Sequence, residues 1–222
     1  MIPLRDTNPS RSRPFVTYML IGLNAAAFLF ELSLGASLPE FILNFGVVPH
    51  RVSAALDSAG VDAGAYLSFL TSMFLHGGWM HLLGNMLFLY VFGDNIEDQF
   101  GHGRFLFFYA FAGAAAAGTQ VLADPSSAVP MVGASGAIAG VLGAYVILFP
   151  RARVLTLIPI FVFFQLLELP AYLFLGLWFL MQIASGVLSL QIGADAGGVA
   201  WWAHIGGFVA GAALLPVLRR RR

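Results

Sequence analysis

Gly133-Ala134-Ser135-Gly136-Ala137-Ile138-Ala139-Gly140 opens one apolar stretch of the chain, and Ala203-His204-Ile205-Gly206-Gly207 opens another. Each places one chemically active side chain, a hydroxyl or an imidazole, among glycines near the start of a predicted membrane span. Ionisable groups are costly inside a bilayer, so an intramembrane histidine is a functional candidate by default. A serine and a histidine together are the ingredients of serine hydrolysis.

Composition sets the surroundings. The 222 residues are 59% hydrophobic and only 10% charged, with a mean hydropathy of +0.84. A soluble domain would carry about 25% charged residues. There is no cysteine, which excludes disulfides, thiolate chemistry and cysteine metal sites. No metal-ligand spacing and no phosphate-binding glycine loop is present, so no cofactor is expected. All the basic residues are arginine.

Hydropathy predicts an all-α membrane protein with six spans, at about 14–34, 80–97, 104–123, 133–149, 168–189 and 200–218. The domain expectation is a cytoplasmic tail over residues 1–13, a six-span unit over 14–218 and a basic tail over 219–222. The first span is too long for a cleaved signal peptide, and Leu34-Gly35-Ala36-Ser37 is a weak cleavage site. The loop of roughly 45 residues after it is rich in apolar residues such as Phe41, Ile42, Tyr66 and Phe69, and is predicted to lie in the interface. Val154 to Leu169 is also apolar but is interrupted by Pro159, with Pro170 after it, and reads as an interfacial lead-in to the fifth span.

Orientation follows from arginine. Arg5, Arg11, Arg13, Arg104, Arg151, Arg153 and Arg219 to Arg222 fall on one side of an even-span topology, and only Arg51 falls on the other. The positive-inside rule makes the arginine-rich side cytoplasmic, with both termini inside. Spans two, four and six then all start at the outer face. His81 and Asn85, Ser135, and His204 lie in the first turns of those three spans, so their polar groups share one depth. The fourth span, about 17 residues or roughly 26 Å, is shorter than a hydrocarbon core of about 30 Å. Ser135 is therefore expected just below the outer surface, under a wet depression.

Small residues favour close helix approach. Gly136, Gly140 and Gly143, with Ser135 and Ala139, line the fourth span, and Gly207 and Gly211 follow His204 on its own face. Such seams let two backbones come near, although packing alone could also account for them. His81 and Asn85 are four apart and share a face. They read either as a buried polar pair or as an oxyanion hole, in which one donor is worth about 3–4 kcal/mol. The Ser135 amide is a further donor, because the first N–H groups of a helix lack intrahelical partners.

These residues resemble one family. Gly133-Ala134-Ser135-Gly136 followed by Ala203-His204-Ile205-Gly206-Gly207, with His81-Leu82-Leu83-Gly84-Asn85 upstream, is similar to the rhomboid intramembrane serine proteases. Thr71-Ser72-Met73-Phe74-Leu75-His76, Glu97-Asp98 with Gly101, and Trp178 with Gln182 resemble the same family. The resemblance runs from about Asn24 to Gly211 and implies a rhomboid-like bundle. It implies a dyad in which Ser135 is nucleophile and His204 general base, with His81 and Asn85 around the oxyanion. Gly133, Ala134 and Gly136 would form the small-residue floor that receives the substrate. Two positions depart from the pattern. Ala139 stands where many members carry an aromatic residue that supports the histidine ring. Either a neighbouring Phe takes that place or the imidazole is held less firmly, at a cost in rate. Tyr66-Leu67-Ser68 stands where many members have a Trp-Arg pair that anchors the first outer loop.

The expected partners are the lipid bilayer and single-span membrane proteins whose helix unwinds readily near the outer face, with no nucleic acid. Oligomeric state is left open. Entry is expected between spans two and five, with Gln191 to Val199 as a mobile cap, and the cell membrane is the expected location. The rivals are a non-catalytic rhomboid-like factor that binds membrane proteins and a small transporter or channel. Other polar residues read as structural. Glu31 is expected to reach water, Gln120 and Gln182 to hydrogen-bond between helices, and Glu97, Asp98 and Arg104 to pair within the inner turn. His50 and His102 are expected in exposed loops.

Overall fold

A computed structural model describes residues 1–58, 62–160, 163–192 and 199–219. Helix α1 spans Phe15–Ser33. Three short helices follow, α2 (Leu38–Phe45), α3 (Pro49–Asp57) and α4 (Ala63–Thr71). The long helices are α5 (Trp79–Phe100), α6 (His102–Ala123), α8 (Ala171–Ile192) and α9 (Trp201–Leu218), with the shorter α7 (Ser135–Leu148) among them. Among the described residues, α1, α6, α8 and α9 are long and apolar enough to cross a membrane. Helix α7 has only 14 residues, and α5 carries Asp94, Glu97 and Asp98 in its last two turns.

The α5 carboxylates do not pair with Arg104 in the inner turn, as the sequence suggested. Glu97 is fully buried and receives hydrogen bonds from the backbone N–H groups of Val16 and Thr17, at 2.9 and 2.8 Å, and from the Thr17 hydroxyl at 2.7 Å. It thereby satisfies donors that the start of α1 leaves free, at the positive end of that helix dipole. Asp98 accepts from the Ser12 N–H. Arg104 reaches the Leu218 carbonyl at the end of α9 instead. His102 is not in a loop; it opens α6 with its ring against Glu97. His50 lies in α3.

Glu31 also departs from expectation. It is 1% exposed, and both its oxygens accept from the His76 N–H at 3.2 Å. The turn before α5 folds over the C-terminal end of α1 and shuts out the water that the sequence position seemed to offer.

The structure is not purely helical. Strands β1 (Ile2–Asp6), β2 (Arg153–Ile160) and β3 (Phe163–Pro170) form an antiparallel sheet in that order. Arg153 pairs with Pro170 and Ile160 with Phe163, while Ile2 pairs with Leu157. Residues 2–6 are therefore part of the fold and not a free tail, and 154–160 and 163–169 are paired antiparallel strands and not a lead-in. Its run of Val, Ile, Leu, Thr and Phe suits strands, but its partner, β1, lies some 150 residues away in sequence. The Tyr145 hydroxyl of α7 donates to Asp6, tying the sheet to the bundle. Burial pushes the Asp6 carboxyl above its ordinary range.

Helices α6, α7 and α9 meet through small residues. A Cβ on Gly207 would lie 2.0 Å from the Gly136 carbonyl oxygen, one on Gly211 2.0 Å from the Gly140 oxygen, and one on Gly143 2.1 Å from the Phe208 oxygen. The backbones of α7 and α9 are thus in direct contact, which only glycine permits. Below this seam the core is aromatic: Phe92, Tyr145 and Phe174 are buried, with the Phe92 and Tyr145 rings edge to face at 4.9 Å.

Gly211→Ala should force α7 and α9 apart and destabilise the protein by about 1–3 kcal/mol. Gly84→Ala, where a Cβ meets nothing within 4 Å, is the control. Thermal unfolding in detergent should show a lower midpoint for the first variant alone; equal midpoints would refute the contact.

Candidate active site

Ser135 is the first residue of α7, and Ala134 is its N-cap. Its N–H is among those that a helix start leaves without an intrahelical acceptor. His204 lies in the first turn of α9. The Ser135 Oγ and the His204 Nε2 are 2.8 Å apart, hydrogen-bonding distance. The glycine seam explains how two short reaches can meet. Gly136 and Gly207 bring the two backbones together immediately below them.

Both groups line a cavity of about 490 Å³, together with His81, Asn85, Gly133 and Trp178. Gly133 has φ +125°, a conformation that side chains rarely adopt, and its N–H donates to the Ser72 carbonyl at 2.9 Å. A Cβ there would lie 2.7 Å from the His81 Nε2 and 3.6 Å from the Asn85 Nδ2. The bare α-carbon of Gly133 therefore makes room for the His81 ring of α5, while the Asn85 amide stands at ordinary contact distance. The Gly77 N–H donates to the His81 Nδ1 at 3.4 Å. That leaves the proton on Nε2, which faces Gly133 as a donor. The Asn85 Nδ2 is buried and has no acceptor among the described residues. An orphaned buried donor in a cavity wall calls for an explanation.

The expected floor is only partly at the surface. Gly133 and Gly136 line the cavity, whereas Ala134 is fully buried within the hydrophobic core.

The surroundings of His204 were the least legible part of the site. Ala139 is buried, and among the described residues the ring contacts of the imidazole are with tryptophan and not with a Phe. Two tryptophans flank the imidazole: the Trp178 ring at 5.9 Å and the Trp201 ring edge to face at 6.2 Å. The His204 Nδ1 is 2.8 Å from the Gln182 Oε1. Gln182 does bond between helices, as expected, but its partner is the imidazole. The sequence signal was Trp178 and Gln182 one turn apart on α8; which helix that face would meet could not be read from it. The Gln120 Oε1 is buried and has no partner among the described residues. Of the expected cap, 193–198 lie outside the described residues.

The segment between α1 and α5 is held by contacts of its own residues. Val47 and Met131 exchange two backbone hydrogen bonds, of 3.0 and 2.7 Å, which tie the loop to the segment before α7. Arg51 grips Asp62 with both Nε and Nη2, at 2.8 and 3.0 Å, and Asp62 caps α4 by accepting from the Ala65 N–H. This pair supplies the anchoring that the missing Trp-Arg pair left unassigned. The Arg51 hydrogen bond, helped by the Ala65 N–H, draws the Asp62 carboxyl down from 3.8 to about 2. A depressed carboxyl favours the folded loop above its ordinary pKa and loses that effect as pH falls through its folded value. Amide exchange in α3 and α4, corrected for the intrinsic rate, should hold steady from about pH 7 to about pH 4 and quicken towards pH 2. In Asp62→Asn that pH dependence should vanish; its persistence would show that another group controls the loop.

Comparison with known proteins places this geometry in context. The Rhomboid domain model matches residues 63–221. The rhomboid protease GluP of Bacillus subtilis is 35% identical over 133 residues, covering 60% of this chain and 24% of that protein. RHOMBOID-like protein 5 of Arabidopsis thaliana is 31% identical over 137 residues, 61% of this chain and 41% of that protein. The putative rhomboid protease YdcA of Bacillus subtilis is 35% identical over 135 residues, 61% of this chain and 62% of that protein. The chain thus spans less than two thirds of the length of each.

Proposed function

Because the chain belongs to the rhomboid family, we propose that this multi-pass membrane protein is a serine endopeptidase that cuts transmembrane segments of single-span proteins near the outer face. The observation that carries the reading is the 2.8 Å contact between the Ser135 Oγ and the His204 Nε2, in a cavity shared with the Asn85 and His81 side chains.

In this reading His204 takes the Ser135 proton on Nε2 as Oγ attacks the scissile carbonyl carbon. The resulting oxyanion is met by the Asn85 Nδ2, the His81 Nε2–H and the Ser135 N–H. Donors fixed in advance cost no reorganisation when charge develops. The intermediate then breaks the C–N bond, and His204 returns the proton to the leaving amine. Water attacks the ester that remains on Ser135, with His204 again as base, releasing the acid and restoring the hydroxyl.

Membrane geometry supports the outer-face cut. Six crossings are assigned to α1, α5, α6, α7, α8 and α9, with both termini in the cytoplasm and the cell membrane as the compartment. The 14 residues of α7 rise only about 21 Å, against a hydrocarbon core of about 30 Å. With its inner end at the cytoplasmic interface, Ser135 sits several ångströms below the outer headgroups, where water can enter. A helical substrate has its backbone bonds satisfied internally, so it must unwind before an extended stretch can reach Ser135. Access is assigned to the side between α5 and α8. Because the chain has no cysteine, an introduced α5–α8 disulfide would be its only one; it should slow cleavage of a membrane substrate, and undiminished turnover would exclude lateral entry.

Ser135→Ala should abolish processing of a reporter with a tagged transmembrane segment and should abolish fluorophosphonate labelling. Asn85→Ala should keep the fold and lower kcat by about 100-fold, the usual effect of losing one oxyanion donor. Equal processing by wild type and Ser135→Ala would reject the protease assignment in favour of a non-catalytic factor that binds membrane proteins.

A further inference from the structure

We infer that Gln182 is a third, positioning member of the site, an uncharged side chain that holds His204 in the one tautomer able to accept the Ser135 proton. The inference rests on the protease reading for its consequence but on local geometry for its substance.

A neutral imidazole carries its proton on one nitrogen only. To act as base towards Ser135, His204 must have a bare Nε2 and therefore a proton on Nδ1. In soluble triads a buried aspartate enforces that choice. Here the Gln182 Oε1 lies 2.8 Å from Nδ1, and the far side of the amide settles which of its atoms faces the ring. The Gln182 Nε2 donates to the Trp178 carbonyl at 3.0 Å. Turning the amide over would set two oxygens against each other and leave the ring with Nε2–H, which can only donate towards Ser135. With the amide as it stands, Oε1 accepts from Nδ1–H, Nε2 is bare, and the Ser135 hydroxyl donates to it at 2.8 Å. Each donor in this chain meets an acceptor.

The choice of amide over carboxylate suits the solvent. Gln182 is 5% exposed in a helix apolar and long enough to cross a membrane, where an ionised side chain would be costly. An amide orients the ring without carrying charge. Burial and the Trp178 carbonyl restrict its rotation, so little freedom remains to be lost when the ring bonds to it. Trp178 lies one turn before Gln182 and packs near the same imidazole. Between them, these two α8 residues supply the orientation that Ala139 cannot.

The test uses the full chain in bicelles with nitrogen-15 histidine, the His204 signals being assigned from their loss in His204→Ala. Wild type should show His204 protonated on Nδ1 and bare on Nε2. Gln182→Met keeps the length of the side chain but removes the acceptor. It should lose that tautomer preference and lower kcat on the reporter by about 10- to 100-fold, with KM within about 2-fold. Gln182→Glu restores an acceptor and should regain the Nδ1–H form. Retention of that form in Gln182→Met, or an unchanged kcat, overturns the inference. If Ser135→Ala processes the reporter as wild type does while the tautomer still depends on Gln182, the protease reading fails and the hold of Gln182 on His204 stands.

Discussion

Backbone contact between α7 and α9 is the constraint on which the site depends. Apolar side chains gain little by leaving lipid for one another, so helices in a bilayer associate through close packing and polar contacts. Gly136 against Gly207 and Gly140 against Gly211 provide that packing, with carbonyl oxygens where any Cβ would have to be. The outcome is an interhelical distance short enough for a serine side chain to reach an imidazole. A single methyl group in the seam would move the nucleophile from the base without touching either.

Two sets of polar groups in the bundle differ in what they face. Glu97 and Glu31 accept from backbone N–H groups at the start of α1 and in the turn before α5. These groups repair places where the backbone cannot bond to itself, and they tie neighbouring elements together in doing so. The Asn85 Nδ2, the His81 Nε2 and the Ser135 hydroxyl instead face a cavity. In a medium where an unpaired polar group is costly, groups directed at open space mark a site for chemistry.

Much of this was legible from sequence because apolar periodicity and glycine spacing are local properties. The long helices α1, α6, α8 and α9 lie where hydropathy placed spans, and the glycines after Ser135 and His204 form the seam they suggested. The misreadings were non-local. Val154 to Leu169 reads as broken apolar sequence until β1 is seen beside it. Glu97 reads as part of an inner turn until the start of α1 arrives above it. Glu31 reads as water-facing until the segment around His76 covers it. In each case the missing partner was a backbone segment, which leaves no mark in the residues it binds.

By itself, the sequence determined the apolar setting, the order of the helices, and which side chains could carry chemistry, because composition and spacing act within one element. Only the tertiary structure decided that the Ser135 oxygen and the His204 nitrogen meet at 2.8 Å, that two tryptophans rather than a phenylalanine flank the ring, and that the Gln182 carbonyl lies behind it. Those facts depend on how three separate helices rotate about their axes. That rotation is set by the summed packing of every face at once, which no single helix encodes.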